Sequence, residues 1–575
     1  MRLQSASRFN ATLLEKEGVL NRPILTLSRK LPSFATDLQL ATKALVRTAP
    51  KRLLNVLPAA GWAAAAILLG LIVGFAAVIL PPMGAFGIVA AVGLVLLWAL
   101  PDLPAVPSKS VRALLFLVVV ADLCVPNYYT YQVAGLPWIS IRRLCTFPLV
   151  LAFVLAIASS SQTRAQLSEA LGAAKSLSIG VIGFATMIVL SIFTSESFGE
   201  SLSGSVEAYL SWFVPLFALI YGLRTEDDLF KFVRIAGWCA IFVSLAGVVE
   251  FVLQRRYFLD VIPPDLKAEL MANNPSFADM VSMNPFRNGL YRASSIFGVP
   301  LCFGEFCAVV APFGYALAAH SQGWRDRIFG FAITMSSVIG IFVSGARGGY
   351  VSFIVATAAF AGLWVLRTAK FNRHSLLPSA GIVMFGSGFC ALALLIMFWG
   401  RAHNMVLGGG EAAASNEARF EQWRLAWPHI LSNPVTGHGF DLGASVVGYF
   451  NPGGVLTIDS YVLSLLVETG APSLVFFFLA VAGGIWFGAR AYLTDRSRRG
   501  VIAGGFACAI IGFAVYRLVL SQRENHTLYF LFVGAVIVLA KLNREEKAIG
   551  RVGKGTTTRP TRIASARTAA PAPLN

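Results

Sequence analysis

The chain has 575 residues, 56% of them hydrophobic and only 13% charged, with a net charge of +18. Soluble domains carry roughly 25% charged and 45–50% apolar residues, so a soluble fold is excluded. Nucleic-acid binding is not indicated either, because the basic excess is crowded into the two ends of the chain, where anionic lipid headgroups account for it.

Taken in chain order, residues 1–58 form a basic segment with Glu15, Glu17 and Asp37 as its only acids. The positive-inside rule places it in the cytoplasm as a basic cytoplasmic N-terminal segment. Within it Leu38, Leu40, Ala44, Leu45, Leu53 and Leu54 alternate with Lys43, Arg47, Lys51 and Arg52, the pattern of an interfacial helix. The first apolar run begins near Ala59, too late for a cleavable signal peptide.

Residues 59–541 then read as a polytopic transmembrane domain of about fourteen helices, an all-α integral membrane bundle. The spans are 59–80, 84–100, 111–126, 144–158, 177–194, 207–223, 234–253, 297–319, 329–343, 350–366, 378–399, 459–489, 501–520 and 527–541. Every second connection should be cytoplasmic, and those connections carry the basic clusters: Lys109 with Arg112, Arg164 with Lys175, Arg224 with Lys231, Arg325 with Arg327, Arg367 with Lys370, and Arg490 through Arg499. Two longer loops, about 254–295 and 400–457, fall on the opposite, periplasmic face. In the second, Phe420, Trp423, Trp427 and Ile430 recur at helical spacing, which predicts an amphipathic helix on the membrane surface. Residues 542–575 read as a disordered basic cytoplasmic tail. Cys124, Cys145, Cys239, Cys302, Cys307, Cys390 and Cys508 lie mostly in apolar runs without metal-ligand spacing, and read as reduced packing residues.

Charges kept in or beside the spans mark the places to look for function. Ser344-Gly345-Ala346-Arg347-Gly348-Gly349-Tyr350 puts an arginine in a tight periplasmic connection, against the positive-inside bias. Its guanidinium could bind a phosphate with two parallel hydrogen bonds, or could only snorkel to water. Arg292, in Tyr291 to Pro300, closes the first long loop as the next span begins, and Arg287 could share a diphosphate with it or be a solvated loop charge. Glu305, further into that span, is a buried partner or a lining residue. Arg419-Phe420-Glu421-Gln422-Trp423 leads into Asn433-Pro434-Val435-Thr436-Gly437-His438-Gly439-Phe440, where the Asn-Pro and Gly-x-Gly pairs signal a sharp return to the membrane and His438 is a loop residue or a base. Asp459 and Ser460 open the twelfth span as candidate N-caps. Glu468 lies nine residues on, so the two carboxylates need not share a face. Either, if buried, could take a proton from an attacking hydroxyl.

In this order the four elements resemble the superfamily of O-antigen ligases and Wzy-type polysaccharide polymerases, over roughly Arg292 to Pro472. The resemblance implies a glycosyltransferase of the bacterial inner membrane, both termini cytoplasmic, using a polyprenyl-diphosphate-linked oligosaccharide donor and a glycan acceptor. Taken with the readings above, it makes Asp459, Glu468, Arg347 and Arg292 the expected catalytic residues, and Arg287, Arg419 and His438 the expected substrate-binding ones. It implies no cofactor or metal; a chain-length regulator or flippase would be a partner, and nucleic acid would not. Ligases of the superfamily carry histidine where this chain has Asp459, so the departure favours a polymerase making exopolysaccharide or O-antigen. The remaining alternatives are a ligase acting on lipid A core or protein, and a transporter of lipid-linked glycan. No line of intramembrane charge marks a transport pathway.

Overall fold

A computed structural model describes residues 107–131, 139–287, 289–320, 323–372, 374, 376–400, 411–451 and 453–555. The basic segment 1–58, the spans 59–80 and 84–100 and the tail from residue 556 lie outside these described residues.

A bilayer offers backbone groups no hydrogen-bonding partner, so spanning segments satisfy their own amides as helices. The described elements follow that rule. They begin with α1 (Ser108–Cys124), a two-residue antiparallel ribbon β1 (Thr130–Tyr131) and β2 (Ile139–Ser140), α2 (Ile141–Ser159), α3 (Ser161–Ala173) and α4 (Lys175–Ile192). Next come α5 (Phe198–Gly222), which contains a π turn at Tyr209–Phe213, and α6 (Glu226–Leu253). The first long loop holds α7 (Tyr257–Asp260), α8 (Pro264–Asn273), α9 (Pro275–Ser282) and the ribbon β3 (Phe286–Arg287) and β4 (Leu290–Tyr291). The chain continues through α10 (Pro300–His320), α11 (Trp324–Ser344), α12 (Arg347–Phe371) and α13 (Leu377–Phe398). In the second long loop lie α14 (Glu411–Ser432) and α15 (Gly443–Val447), followed by α16 (Tyr461–Thr494), α17 (Arg498–Arg517) and α18 (His526–Gly555).

Ten of these helices are long and apolar enough to cross a membrane: α2, α4, α5, α6, α10, α11, α12, α16, α17 and α18. The 17-residue α1 and the apolar first half of α13 are shorter. The chain is an all-α polytopic membrane protein, and each of the twelve spans read between residues 111 and 541 falls on a helix. Helix α18 runs on to Gly555, so residues 542–555, read from sequence as the start of a disordered tail, are helical.

The chain divides into two compact units, Met1–Ser168 with Val206–Gly222, and Glu169–Ser205 with Leu223–Asn575. In the first, Ser140 caps α2 by accepting from the Arg143 amide (3.1 Å), and Arg142 donates to the Val125 carbonyl (2.7 Å) and pairs with Asp122 (3.3 Å). All residues discussed below belong to the second.

That unit has two chemically distinct ends. At one, the connections read as cytoplasmic meet: Arg234 pairs with Asp326 (2.6 Å), Arg498 with Asp326 (3.6 Å), Arg499 with Glu226 (3.5 Å), and Lys541 with Glu169 (3.5 Å). At the other, segments 194–196, 254–299, 344–347, 433–460 and 518–525 are joined by the contacts described next. The alternation of basic clusters in the sequence therefore sorts these connections onto the ends where the structure has them.

Candidate active site

The site end is built around a break in α16. Gly470 has φ 79° and ψ 174°, and Pro472 follows, so the helix loses its regular hydrogen bonds there. The backbone groups this releases are taken up by the Asn433 to Gly439 turn. His438 N–H donates to Val467 O (2.9 Å), Gly439 N–H to Glu468 O (3.0 Å), and Ala471 N–H to Pro434 O (2.8 Å). The approach is so close that a Cβ on Gly437, whose φ is +65°, would lie 2.4 Å from the Glu468 carbonyl carbon. The Asn-Pro-x-x-Gly-x-Gly stretch is thus the plug of a broken transmembrane helix.

Glu468 anchors the same joint. Its carboxylate accepts from Ser464 Oγ (2.6 Å), Asp441 N (3.2 Å) and Gly443 N (3.3 Å), and pairs with Arg523 (2.5 Å). Arg523 also pairs with Asp441 (2.7 Å) and lies over the Phe440 ring at 4.2 Å. With all these donors, Glu468 is a fully engaged carboxyl inside the protein rather than one facing an open space.

Arg292 is held as tightly, by its backbone. Its N–H donates to Pro285 O (2.9 Å) and the next amide, of Ala293, to Val343 O (2.9 Å). The buried Glu250 carboxylate collects Tyr291 OH (3.1 Å), Ser294 N (3.1 Å) and Ser295 N (2.7 Å). Ser295, a non-glycine residue at φ 53°, is held there by this acceptor and by its own hydroxyl, which donates to Val243 O (2.7 Å). The Arg292 side chain donates from Nε to Ser344 O (3.1 Å), above Gly345, which ends α11 at φ +57° and whose added Cβ would press the Arg292 chain at 3.2 Å. Burial pulls the Arg292 pKa down to about 10, with Arg287 and Arg347 pushing the same way and Tyr516 opposing. Arg287, Arg292 and Arg347 therefore share one cationic neighbourhood, with Arg347 as the first residue of the 25-residue helix α12. A cation at a helix N-terminus opposes the dipole, and an anion bound there would relieve both.

Asp459 stands just ahead of α16. Ser460, not Asp459, occupies the N-cap position, and it makes no side-chain capping bond, so the capping role read from sequence is not filled by Asp459. Its N–H donates to Oε1 of the buried Gln422 on α14 (2.9 Å). Burial raises the carboxyl pKa above its ordinary 3.8, and the nearby Arg419 opposes this. Helix α14 turns Gln422, Ala426 and Ile430 inward while Phe420 (82% exposed), Trp427 and Leu431 face out. Ile430 thus belongs to the packed face, not to the aromatic stripe with which the spacing had grouped it.

The α17–α18 connection, residues 518–525, touches both sets. Ser521 donates to Ile458 O beside Asp459, and both Glu524 oxygens accept from Gly298 N at 3.3 Å, at the start of α10. Beneath it Arg517 pairs with Glu305 inside the bundle, and Asn525 donates to Glu305 (2.8 Å) and to Cys302 O (2.8 Å). Arg517, Arg523, Glu524, Glu250 and Asp441 were not singled out by sequence. An arginine within an apolar run, as Arg517 is, was the available signal.

His438 completes the set. Its Nδ1 lies 2.9 Å from Glu196 Oε1, and its Nε2 lies 2.9 Å from His429 O and 3.2 Å from Ser432 Oγ.

These features define a polytopic helical membrane protein with a cationic cluster and a buried carboxylate gathered at one end of its larger unit. Residues 331–478 match the family model of the O-antigen ligases, a stretch holding Arg347, Arg419, His438, Asp459 and Glu468 and ending past the Gly470 break. The match agrees with the superfamily resemblance and supports an enzyme of the O-antigen ligase and polymerase type, acting on lipid-linked glycan. No curated protein matches the chain.

Proposed function

We propose that the chain polymerises lipid-linked polysaccharide repeat units at the periplasmic face of a bacterial inner membrane, with a polyprenyl diphosphate as leaving group. The acceptor sugar hydroxyl gives its proton to the Asp459 carboxylate and its oxygen forms a bond to the donor's anomeric carbon. The anomeric C–O bond breaks, and its electron pair leaves on the diphosphate. Arg292 and Arg347, with Arg287 at the edge, face the charge that grows on that leaving group, and Arg419 orients the acceptor side. The observation that carries this reading is the half-buried cluster of Arg287, Arg292 and Arg347, in which Arg292 is held by its backbone before any substrate arrives. Preorganised donors aimed at developing charge are the largest single source of rate in such steps, each about 10²–10³-fold.

Between the two carboxylates, the engagement of Glu468 by four donors favours Asp459 as base. A ligase reading, suggested by the name of the matched family, keeps the chemistry and changes the acceptor. The size distribution of surface or secreted glycan in a strain lacking the chain separates the two. Collapse of a ladder to one repeat unit is expected; loss of all attached glycan would establish a ligase, and an unchanged ladder would overturn both.

A further inference from the structure

We propose that Glu196, His429 and His438 hold one divalent transition-metal ion of the zinc class, which ties the Asn433 to Gly439 turn to the segment following α4. One ligand atom from each of the three residues lies within 4.8 Å of the others. The three come from separate pieces of chain: Glu196 from the connection between α4 and α5, His429 from the last turn of α14, and His438 from the turn itself. Two imidazoles and a carboxylate are a donor set that zinc accepts with a fourth position left open, and Glu196 is exposed, so that position faces solvent.

The convergence of the three donors is what points to a metal, and the hydrogen bonds of His438 leave one ring nitrogen turned toward it. Its Nε2 faces the His429 carbonyl (2.9 Å) and Ser432 Oγ (3.2 Å); with the Ser432 hydroxyl donating to the same carbonyl (2.8 Å), both are acceptors for a proton on Nε2. In the neutral ring this leaves a lone pair on Nδ1, directed at a Glu196 oxygen 2.9 Å away. A proton fills that 2.9 Å contact when no metal is bound, and a metal ion would replace it with a small outward shift of the exposed Glu196. The His429 ring, its centroid 5.5 Å from that of His438, brings a third donor that a proton does not need and a metal does. A backbone carbonyl accepting from the remote nitrogen is also the partner that orients metal-bound histidines and fixes their tautomer. The same joint is already crossed by backbone bonds, Glu196 N to His438 O (3.1 Å) and Thr194 Oγ1 to Gly437 O (3.0 Å), so the ligands are held in place before any ion binds.

Such an ion would lock the turn that plugs the α16 break, and it would do so whether or not the chain is a polymerase. No metal-ligand spacing marks the set, because His429 and His438 are nine residues apart and Glu196 is remote from both.

The test uses the full chain in detergent micelles, without a polyhistidine tag and stripped with a chelator, titrated with Zn²⁺ against a chromophoric chelator. Wild type should take up one equivalent with a rise in thermal midpoint, and His429→Gln and Glu196→Gln should each lose that uptake. A Zn K-edge spectrum of the wild-type protein, which needs no variant to fold, should show two imidazole nitrogens and oxygen at about 2.0–2.2 Å. Zn²⁺ held no more tightly by wild type than by His429→Gln, or a spectrum without histidine, would overturn the proposal and leave a proton between His438 and Glu196.

Discussion

Replacing Gly437 with alanine tests the plug in the α16 break without touching any charged group. Alanine at φ +65° costs about 1–2 kcal/mol in backbone strain alone. Its Cβ would meet the Glu468 carbonyl at 2.4–2.5 Å, contact with backbone that cannot rotate away. The turn must therefore lift, releasing the bonds from His438 N to Val467 O and from Gly439 N to Glu468 O. Each carbonyl left buried without a donor adds about 1–3 kcal/mol. The sum, about 3–8 kcal/mol, is a large share of the ~5–15 kcal/mol that typically holds a domain together. The comparison is Gly362→Ala, where nothing lies within 4 Å of the added Cβ and the helical backbone suits alanine. Thermal unfolding of both variants in the same detergent, followed by loss of the monodisperse elution peak, should show Gly437→Ala severely destabilised and Gly362→Ala at or slightly above wild type. Equal midpoints would refute the docking of the turn into the broken helix.

Arg347→Lys should lose nearly as much polymer as Arg347→Ala at equal protein level, since lysine keeps the charge but not the fork that grips a diphosphate; full yield with lysine would reduce Arg347 to a general positive charge. Glu468→Gln and Arg523→Gln should each destabilise the protein by about 2–4 kcal/mol, and the double variant by clearly less than their sum, because each single change leaves a charge of the pair without its partner; additive thermal shifts would contradict the coupling. In a cysteine-free background, Ala272→Cys and Glu417→Cys should react with an impermeant maleimide from one side of the membrane and Arg325→Cys only from the other, with the first pair periplasmic.

Much of the architecture was legible because the bilayer imposes one rule on every span, and because basic clusters mark alternate connections. The elements that build the candidate site, Arg292, the Ser344 to Gly349 connection and the Gly437 turn, stood out as glycine and arginine placed where neither is favoured. What stayed hidden depends on contacts between distant residues. Glu250 looks like the end of an apolar helix until three donors from Tyr291, Ser294 and Ser295 arrive. The Arg523 that pairs with Glu468 lies 55 residues away from it in the chain. Helical periodicity misassigned Ile430 because apolar residues on α14 face two ways, some toward the core and some outward.

Asp459 is where the chemistry is most directly tested. Its folded carboxyl holds a proton more tightly than in the unfolded chain, so this contribution to stability is full below 3.8 and is lost as pH rises through the raised folded value. At neutral pH Asp459→Asn should accordingly be at least as stable as wild type, and in wild type the acid limb of activity should lie above 3.8. The decisive measurement supplies the purified protein with polyprenyl-diphosphate-linked repeat unit and follows release of free polyprenyl diphosphate together with glycan length. Wild type should release one diphosphate for each repeat unit joined, and a well-folded Asp459→Asn should release almost none. Release at wild-type rate from Asp459→Asn would remove that carboxylate from the mechanism, and no release from wild type would contradict the glycosyl-transfer account itself.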